Sequence, residues 1–173
     1  MGRFFNLKLP YFSRKSSLML LAFSWFLGLF LGAVFSVAAG EPIVSLMRTA
    51  VSSRVSFSGL LTAILLPFLL SALAVFISEP YLLFVIAFLK AFTFSYVGIG
   101  VMAAYGSAGW LIRLLLMFSD CCFLPLLMLY WIRLISGKRG SAIPVTVVTG
   151  FLAVAIGSFD FCVVSPFLAT LVS

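Results

Sequence analysis

Histidine is absent from this chain, and acidic residues are scarce. Its 173 residues include no histidine, four Asp and Glu, and three cysteines. Without histidine the serine–histidine relay of hydrolases is unavailable, and no residues have the spacing of a metal site. Charged residues make up 9% of the chain, whereas soluble domains have about 25%. We therefore expect a non-enzyme with no cofactor, no metal and no separate soluble domain.

Long apolar runs take up most of the chain. Hydrophobic residues account for 64% of it, and a helix of about 20 apolar residues crosses a hydrocarbon core roughly 30 Å thick. The runs predict an all-α, polytopic integral membrane protein with a basic cytoplasmic tail, residues 1–16, and one five-helix membrane domain, residues 17–173. The five predicted spans cover about residues 18–40, 57–78, 81–104, 110–135 and 142–172. Residues 41–56 are expected to be a short amphipathic interfacial piece, and tight turns are expected at Glu79-Pro80 and from Tyr105 to Gly109. The last run is longer than one crossing needs, so it must tilt, bend near Pro166 or end in an interfacial tail. The three cysteines fall inside these spans and are expected to be small buried hydrophobic residues.

The net charge of +7 comes from basic residues that flank the apolar runs. Seven Lys and Arg residues lie near the span ends on one predicted side of the membrane, and three lie on the other. Because basic residues concentrate on the cytoplasmic side, we predict an N-terminus inside and a C-terminus outside. Membrane lipids with anionic headgroups are expected partners, and nucleic acid is not.

Two opposite charges lie near the middle of neighbouring predicted spans. Lys90 is nine residues, roughly 14 Å, into the third span, and Asp120 is ten residues, about 15 Å, into the fourth. A lone charge at that depth costs about 2.5–3.5 kcal/mol. We therefore predict that Lys90 and Asp120 form an ion pair that joins the two helices.

Arg113 and Asp160 also match each other in estimated depth, which suggests a second ion pair between the fourth and fifth spans. Arg113 lies seven residues before Asp120, about two helical turns, so both side chains share one face of the fourth span. Alternatively, Arg113 extends to the membrane interface. Intramembrane charges of this kind either set which helices pack together or line a pathway for ions or protons.

Glycines recur at positions that favour close helix contact. Gly28 and Gly32 begin a series of small residues at every fourth position of the first span, which provides a smooth face for another helix. We expect this face to pack within the chain rather than against a second copy, although an oligomer remains possible. Gly98 and Gly100 superficially resemble a dinucleotide-binding loop, but they lie in an apolar run without the required βαβ unit.

The central hairpin, residues 88–131, contains Phe88-Leu89-Lys90-Ala91-Phe92, glycines at positions 98, 100, 106 and 109, and Ser119-Asp120-Cys121-Cys122-Phe123-Leu124-Pro125. This order of features resembles the stage II sporulation protein M family. The resemblance covers residues 80–135 and, more loosely, Gly28 to Gly32. It implies a five-span, multi-pass scaffold in the bacterial cytoplasmic membrane that anchors a cell-wall amidase and a lytic transglycosylase during forespore engulfment. The residues that it implicates in packing or docking are Lys90, Gly98, Gly100, Gly106, Asp120 and Pro125.

The main alternative is a small transporter or permease subunit. In such proteins, interrupted helices and charges near the midplane form the substrate or ion site. Lys90 and Asp120 would then act as a gated polar site rather than as a structural pair.

Overall fold

The computed structural model describes residues 14–52, 65–73, 81–136, 142–164, 166–167 and 170. Nearly all of these residues are helical and none of them lies in a strand, so the all-α prediction is confirmed. The helices are α1 (Arg14–Ala39), α2 (Glu41–Ser52), α3 (65–73), α4 (Tyr81–Tyr105), α5 (Gly109–Leu116), α6 (Phe118–Ser136) and α7 (Ala142–Phe159).

Among the described residues, three helical stretches are long and apolar enough to cross a membrane. They are Lys15–Ala39, the stretch Tyr81–Leu115, of which α4 is the part before the turn at Gly106, and Thr146–Val164. Asp120–Ile132, within α6, is a shorter apolar helix. Large hydrophobic side chains remain exposed along these helices, with Phe30 at 64% and Phe151 at 75% exposure. This combination is typical of a membrane protein, whose outward-facing side chains contact lipid rather than water.

A sharp turn folds α5 back along α4. Gly106 opens a short 3-10 turn, Gly106–Ala108, with a positive φ of 57°, a conformation that glycine adopts without steric cost. Beyond the turn, a Cβ on Gly109 would lie 2.8 Å from the Met102 Cα. The two helices are therefore an antiparallel hairpin, and the chain reverses within the predicted turn between Tyr105 and Gly109.

The predicted fourth span is not one continuous helix. α5 ends at Leu116 and α6 begins at Phe118, with Met117 between them at φ −103° and ψ 14°. The Met117 amide still donates to the Arg113 carbonyl at 2.9 Å, so the interruption is confined to one residue. Because neither glycine nor proline stands at the break, the apolar pattern does not reveal it.

The helices α1 and α4 lie side by side and run in the same direction. Gly28 packs against the backbone of Phe88 and Phe92, and Gly32, one turn later, packs against Phe92. Leu21 lies in the same buried cluster as Leu83, nearer the start of both helices. Contacts therefore advance along α1 and α4 together, which is the register of parallel helices.

The amphipathic helix α2 covers the end of α4. Its buried side chains Ile43 and Met47 fit against Gly100, where a Cβ would lie 2.8 Å from the Ile43 Cδ1. Arg48 Nη2 donates to the Ala104 carbonyl at 3.4 Å, in the last turn of α4, where carbonyls lack helical partners and a positive charge is favoured. α2 is the described part of the segment 41–56, which the sequence predicts to be amphipathic.

The helix α6 connects α3 and α7 through polar contacts. Trp131 Nε1 donates to Ser71 Oγ of α3 at 2.8 Å, and Thr146 Oγ1 of α7 donates to the Tyr130 hydroxyl at 3.3 Å. The Phe118 and Phe159 rings, 5.7 Å apart, meet at the opposite end of α6 and α7, which are therefore antiparallel. The largest buried cluster contains Leu21, Phe68, Leu83, Ala87, Phe123, Leu127, Tyr130, Trp131 and Ala153.

Several predicted features lie outside the described residues. They are most of the basic tail, much of the second span, the Glu79-Pro80 turn and the loop at 137–141. In the last span, for which the sequence predicts a tilt, a bend near Pro166 or an interfacial tail, α7 ends at Phe159. A π-helical turn, Asp160–Val164, then follows directly, so the backbone geometry changes before Pro166.

Candidate functional site

The structure brings Lys90 of α4 and Asp120 of α6 into direct contact. Lys90 Nζ lies 2.6 Å from Asp120 Oδ1, and their side chains are 10% and 22% exposed. Asp120 also lies in the first turn of α6, where the helix dipole favours a negative charge. The hairpin thus supplies both halves of a charge-assisted hydrogen bond, which is among the strongest polar contacts in proteins.

One face of α4 carries this cluster toward α5 and α6. Lys90, Phe94, Gly98 and Met102 recur at every fourth position, and side chains with that spacing share a face of a helix. Asp120 and Arg113 lie opposite this face, at positions seven residues apart along the returning chain. We call this surface, formed by Lys90, Phe94, Gly98, Met102, Arg113 and Asp120, the hairpin cluster.

Arg113 lies in a slot that Gly98 leaves open. A Cβ on Gly98 would lie 2.5 Å from the Arg113 Nε, so any side chain there would displace the guanidinium group. The Arg113 Cζ is 5.8 Å from the centre of the Phe94 ring, within the range of a cation–π contact. Arg113 Nη1 also lies 3.4 Å from the Met102 sulfur. Gly98 is therefore a site for a side chain of the facing helix.

The predicted pairing of Arg113 with Asp160 is not formed between these two described residues. Arg113 packs on α4, against Phe94 and Met102, while Asp160 is 3% exposed in the π-helical turn after α7. The shared face explains this difference. Because Arg113 and Asp120 project the same way, a fold that aims Asp120 at Lys90 also aims Arg113 at α4.

The remaining predicted packing residues have separate surroundings. Gly28 and Gly32 contact α4, Gly100 contacts α2, and Gly106 makes the hairpin turn. Pro125 is exposed inside α6.

The expectation of buried cysteines is wrong, because Cys121, Cys122 and Cys162 are free thiols on the exposed side of their helices. An apolar sequence pattern predicts that a residue lies in a span, but it does not show whether the residue faces lipid or the other helices.

Two polar contacts between helices were not predicted from the sequence. One joins Trp131 to Ser71, whose hydroxyl also donates to the Pro67 carbonyl at 2.6 Å. The other is the contact of Arg48 with the end of α4. A serine four residues after a proline is a detectable signal, since serine can bond the carbonyl four positions earlier. No local signal links Arg48 to a residue 56 positions away.

The hairpin cluster can act through electrostatic interactions and through packing between helices. Among the described residues, no group of three or more His, Cys, Asp or Glu side chains is arranged to hold a metal ion. An ion pair between helices can fix their register, and it can also open to admit an ion or a proton. Comparisons with protein-family models, curated proteins and solved structures found no match to this chain.

Proposed function

We propose that the chain crosses the membrane five times, with its N-terminus inside and its C-terminus outside. The parallel packing of α1 and α4 supports this topology, because the chain must return to its starting side between them. The 28 residues at 53–80 would span about 42 Å as a helix, enough for one crossing. Phe68 of α3 packs against Tyr130, with ring centres 5.3 Å apart, as expected for a crossing segment.

This topology predicts that the two ends of the chain lie on opposite faces of the membrane. We expect a tag at residue 1 to be protected in intact cells, and a tag after residue 173 to be labelled by an impermeant reagent. A tag inserted at the Glu79-Pro80 turn should be protected like the first. Two termini labelled from the same side would exclude five crossings.

We further propose that the protein is a non-enzymatic membrane scaffold that anchors other proteins. The observation that carries this proposal is the closed contact between Lys90 and Asp120. A carboxylate already bound to an ammonium group within the hairpin is suited to fixing helix register. Gly28, Gly32 and Gly98 add backbone and side-chain contacts that favour one rigid arrangement.

The resemblance of the hairpin to the stage II sporulation protein M family specifies the proposed partners. They are a cell-wall amidase and a lytic transglycosylase, held at the cytoplasmic membrane of a spore-forming bacterium during engulfment. Wall hydrolysis would then belong to the partners. Lys90, Asp120 and the hairpin glycines would keep the docking surface in shape.

Deletion of the gene in a sporulating host tests this role. We expect the null strain to stop at engulfment, and both wall hydrolases to copurify with the tagged protein from wild-type membranes. A copy with Leu89→Ala, a change on the exposed side of α4, should restore engulfment and serves as the matched control. Normal spore formation in the null strain would refute the role.

Transport remains a second candidate because two helices are irregular near the charges. α5 and α6 are interrupted at Met117, and a π-helical turn containing Asp160 follows α7. Such irregular turns are frequent at functional sites. Flux of a solute or of protons through vesicles containing the purified protein, abolished by Asp120→Asn, would favour transport over the scaffold.

A further inference from the structure

We propose that Arg113 is a docking point for a carboxylate carried by a membrane-spanning helix of a partner protein. This inference rests on the proposed anchoring role and adds the chemistry of the contact. The helix would lie against the hairpin beside Arg113, and an Asp or Glu side chain would complete the hydrogen bonds of the guanidinium group.

The contacts of Arg113 leave most of its hydrogen-bonding capacity unused. A guanidinium group has five N–H donors. Among the residues that the structure describes, its contacts are the Met102 sulfur, which is a weak acceptor, and the face of the Phe94 ring. Lys90 and Asp120 neutralise each other, so the hairpin cluster retains one positive charge. An acidic side chain is its electrostatic complement.

The depth of Arg113 favours a carboxylate on a helix over a lipid phosphate. The guanidinium group lies beside Gly98, five residues from the middle of α4, which is about 7.5 Å along the helix axis. Half of the hydrocarbon core is about 15 Å, so the group lies well inside the apolar layer when α4 is centred in it. Lipid phosphates lie outside that layer, whereas a side chain on a spanning helix can occupy any depth.

The surface around Arg113 is open to another helix. Trp110, one turn earlier on α5, is 59% exposed, and Leu114 and Met102 are 52% and 41% exposed. Arg113 itself is partly exposed. Its long apolar neighbours would pack on the approaching helix, while the guanidinium group would select a helix with an acidic residue.

A second copy of this chain does not supply the required carboxylate. Asp120 is bound to Lys90, and Asp160 is 3% exposed. The other two acidic residues, Glu41 and Glu79, lie at the ends of predicted spans rather than at the depth of Gly98. The complementary charge must therefore come from a different protein.

Synthetic membrane-spanning peptides can stand in for the partner helix in a binding test. The probe is a fluorescent leucine-rich helix with one Asp placed about five residues from its centre, mixed with the labelled protein in phosphatidylcholine vesicles. Energy transfer reports binding. We expect the Asp peptide to bind roughly tenfold more tightly than its all-leucine counterpart. Arg113→Gln should remove this preference, and Arg113→Lys should retain most of it.

Three controls determine the outcome. Leu129→Ala, at an exposed position of α6 outside the surface around Arg113, should leave the preference unchanged. Moving the Asp about seven residues, to the other half of the peptide, should abolish the preference for the Asp peptide. This control uses only the wild-type protein, so it does not depend on whether a variant folds. Equal binding of Asp and leucine peptides, or a preference that survives Arg113→Gln, would overturn the inference. Loss of peptide binding when phosphatidylglycerol replaces part of the lipid would instead assign Arg113 to lipid phosphate and also overturn it.

The peptide assay contains no wall hydrolase, so its result is independent of the engulfment test. A clear Asp preference in a protein whose deletion leaves sporulation normal would keep the docking site and discard the sporulation role. Blocked engulfment without any Asp preference would keep the scaffold and discard the docking site.

Discussion

Reversing either charge of the Lys90–Asp120 pair alone is expected to destabilise the protein by about 3–5 kcal/mol. Lys90→Asp would leave two carboxylates on the facing helices α4 and α6, and Asp120→Lys would leave two ammonium groups, so like charges would replace the attractive pair. The double variant, Lys90→Asp with Asp120→Lys, restores opposite charges and should recover most of the lost stability. Unfolding in mixed detergent, followed by circular dichroism, measures the difference.

The exposed neighbour Leu89 provides the control for the charge reversals. Leu89→Ala changes a lipid-facing side chain that is 53% exposed and should alter stability by less than about 0.5 kcal/mol, the usual range for surface positions. If the double variant is as unstable as the sum of the two single variants, the ion pair does not hold α4 to α6. Asp120→Asn is a milder substitution, because it removes the negative charge but keeps the shape of the side chain.

Replacing Gly28 or Gly32 with leucine is expected to separate α1 from α4. A Cβ at Gly28 would overlap the Phe88 carbonyl oxygen and lie 2.9 Å from the Ala91 Cβ, and a Cβ at Gly32 would overlap the Phe92 carbonyl oxygen. Because the atoms in the way belong mainly to backbone, they cannot move aside. Each substitution should cost at least the 1–3 kcal/mol that is typical of overpacking, about twice that for both.

A leucine on the opposite side of α1 gives the matched comparison. Val34 is 46% exposed on α1, so Val34→Leu adds volume without meeting α4 and should leave stability unchanged. Wild-type stability for Gly28→Leu would show that α1 does not pack on α4 through this face.

Much of the hairpin follows from the sequence by simple physical rules. The length of the apolar runs and the rise of a helix bring Lys90 and Asp120 to one depth, and the cost of a lone charge in lipid predicts their contact. The four-residue spacing of Gly28 and Gly32 predicts a helix face that needs close contact. Such patterns can be recognised in the sequence because they depend only on the spacing of residues along the chain.

Depth alone does not decide which helix a side chain faces. Arg113 and Asp160 match in estimated depth, yet Arg113 packs beside Gly98 and Asp160 is buried in the turn after α7. The exposed cysteines illustrate the same point, since a residue within a span can face lipid as readily as protein. The rotation of each helix about its axis comes from packing against all of its neighbours.

The order of residues along the chain is enough to predict an all-helical protein with helices long and apolar enough to cross a membrane, the turn after Tyr105 and the pairing of Lys90 with Asp120. These properties follow from composition, helix geometry and the cost of charge in hydrocarbon. Packing between distant segments establishes the rest: α1 runs parallel to α4, α2 caps the end of α4, and Arg113 occupies the space left by Gly98. Those arrangements depend on which surfaces meet, and contacts between residues far apart in sequence leave no local pattern.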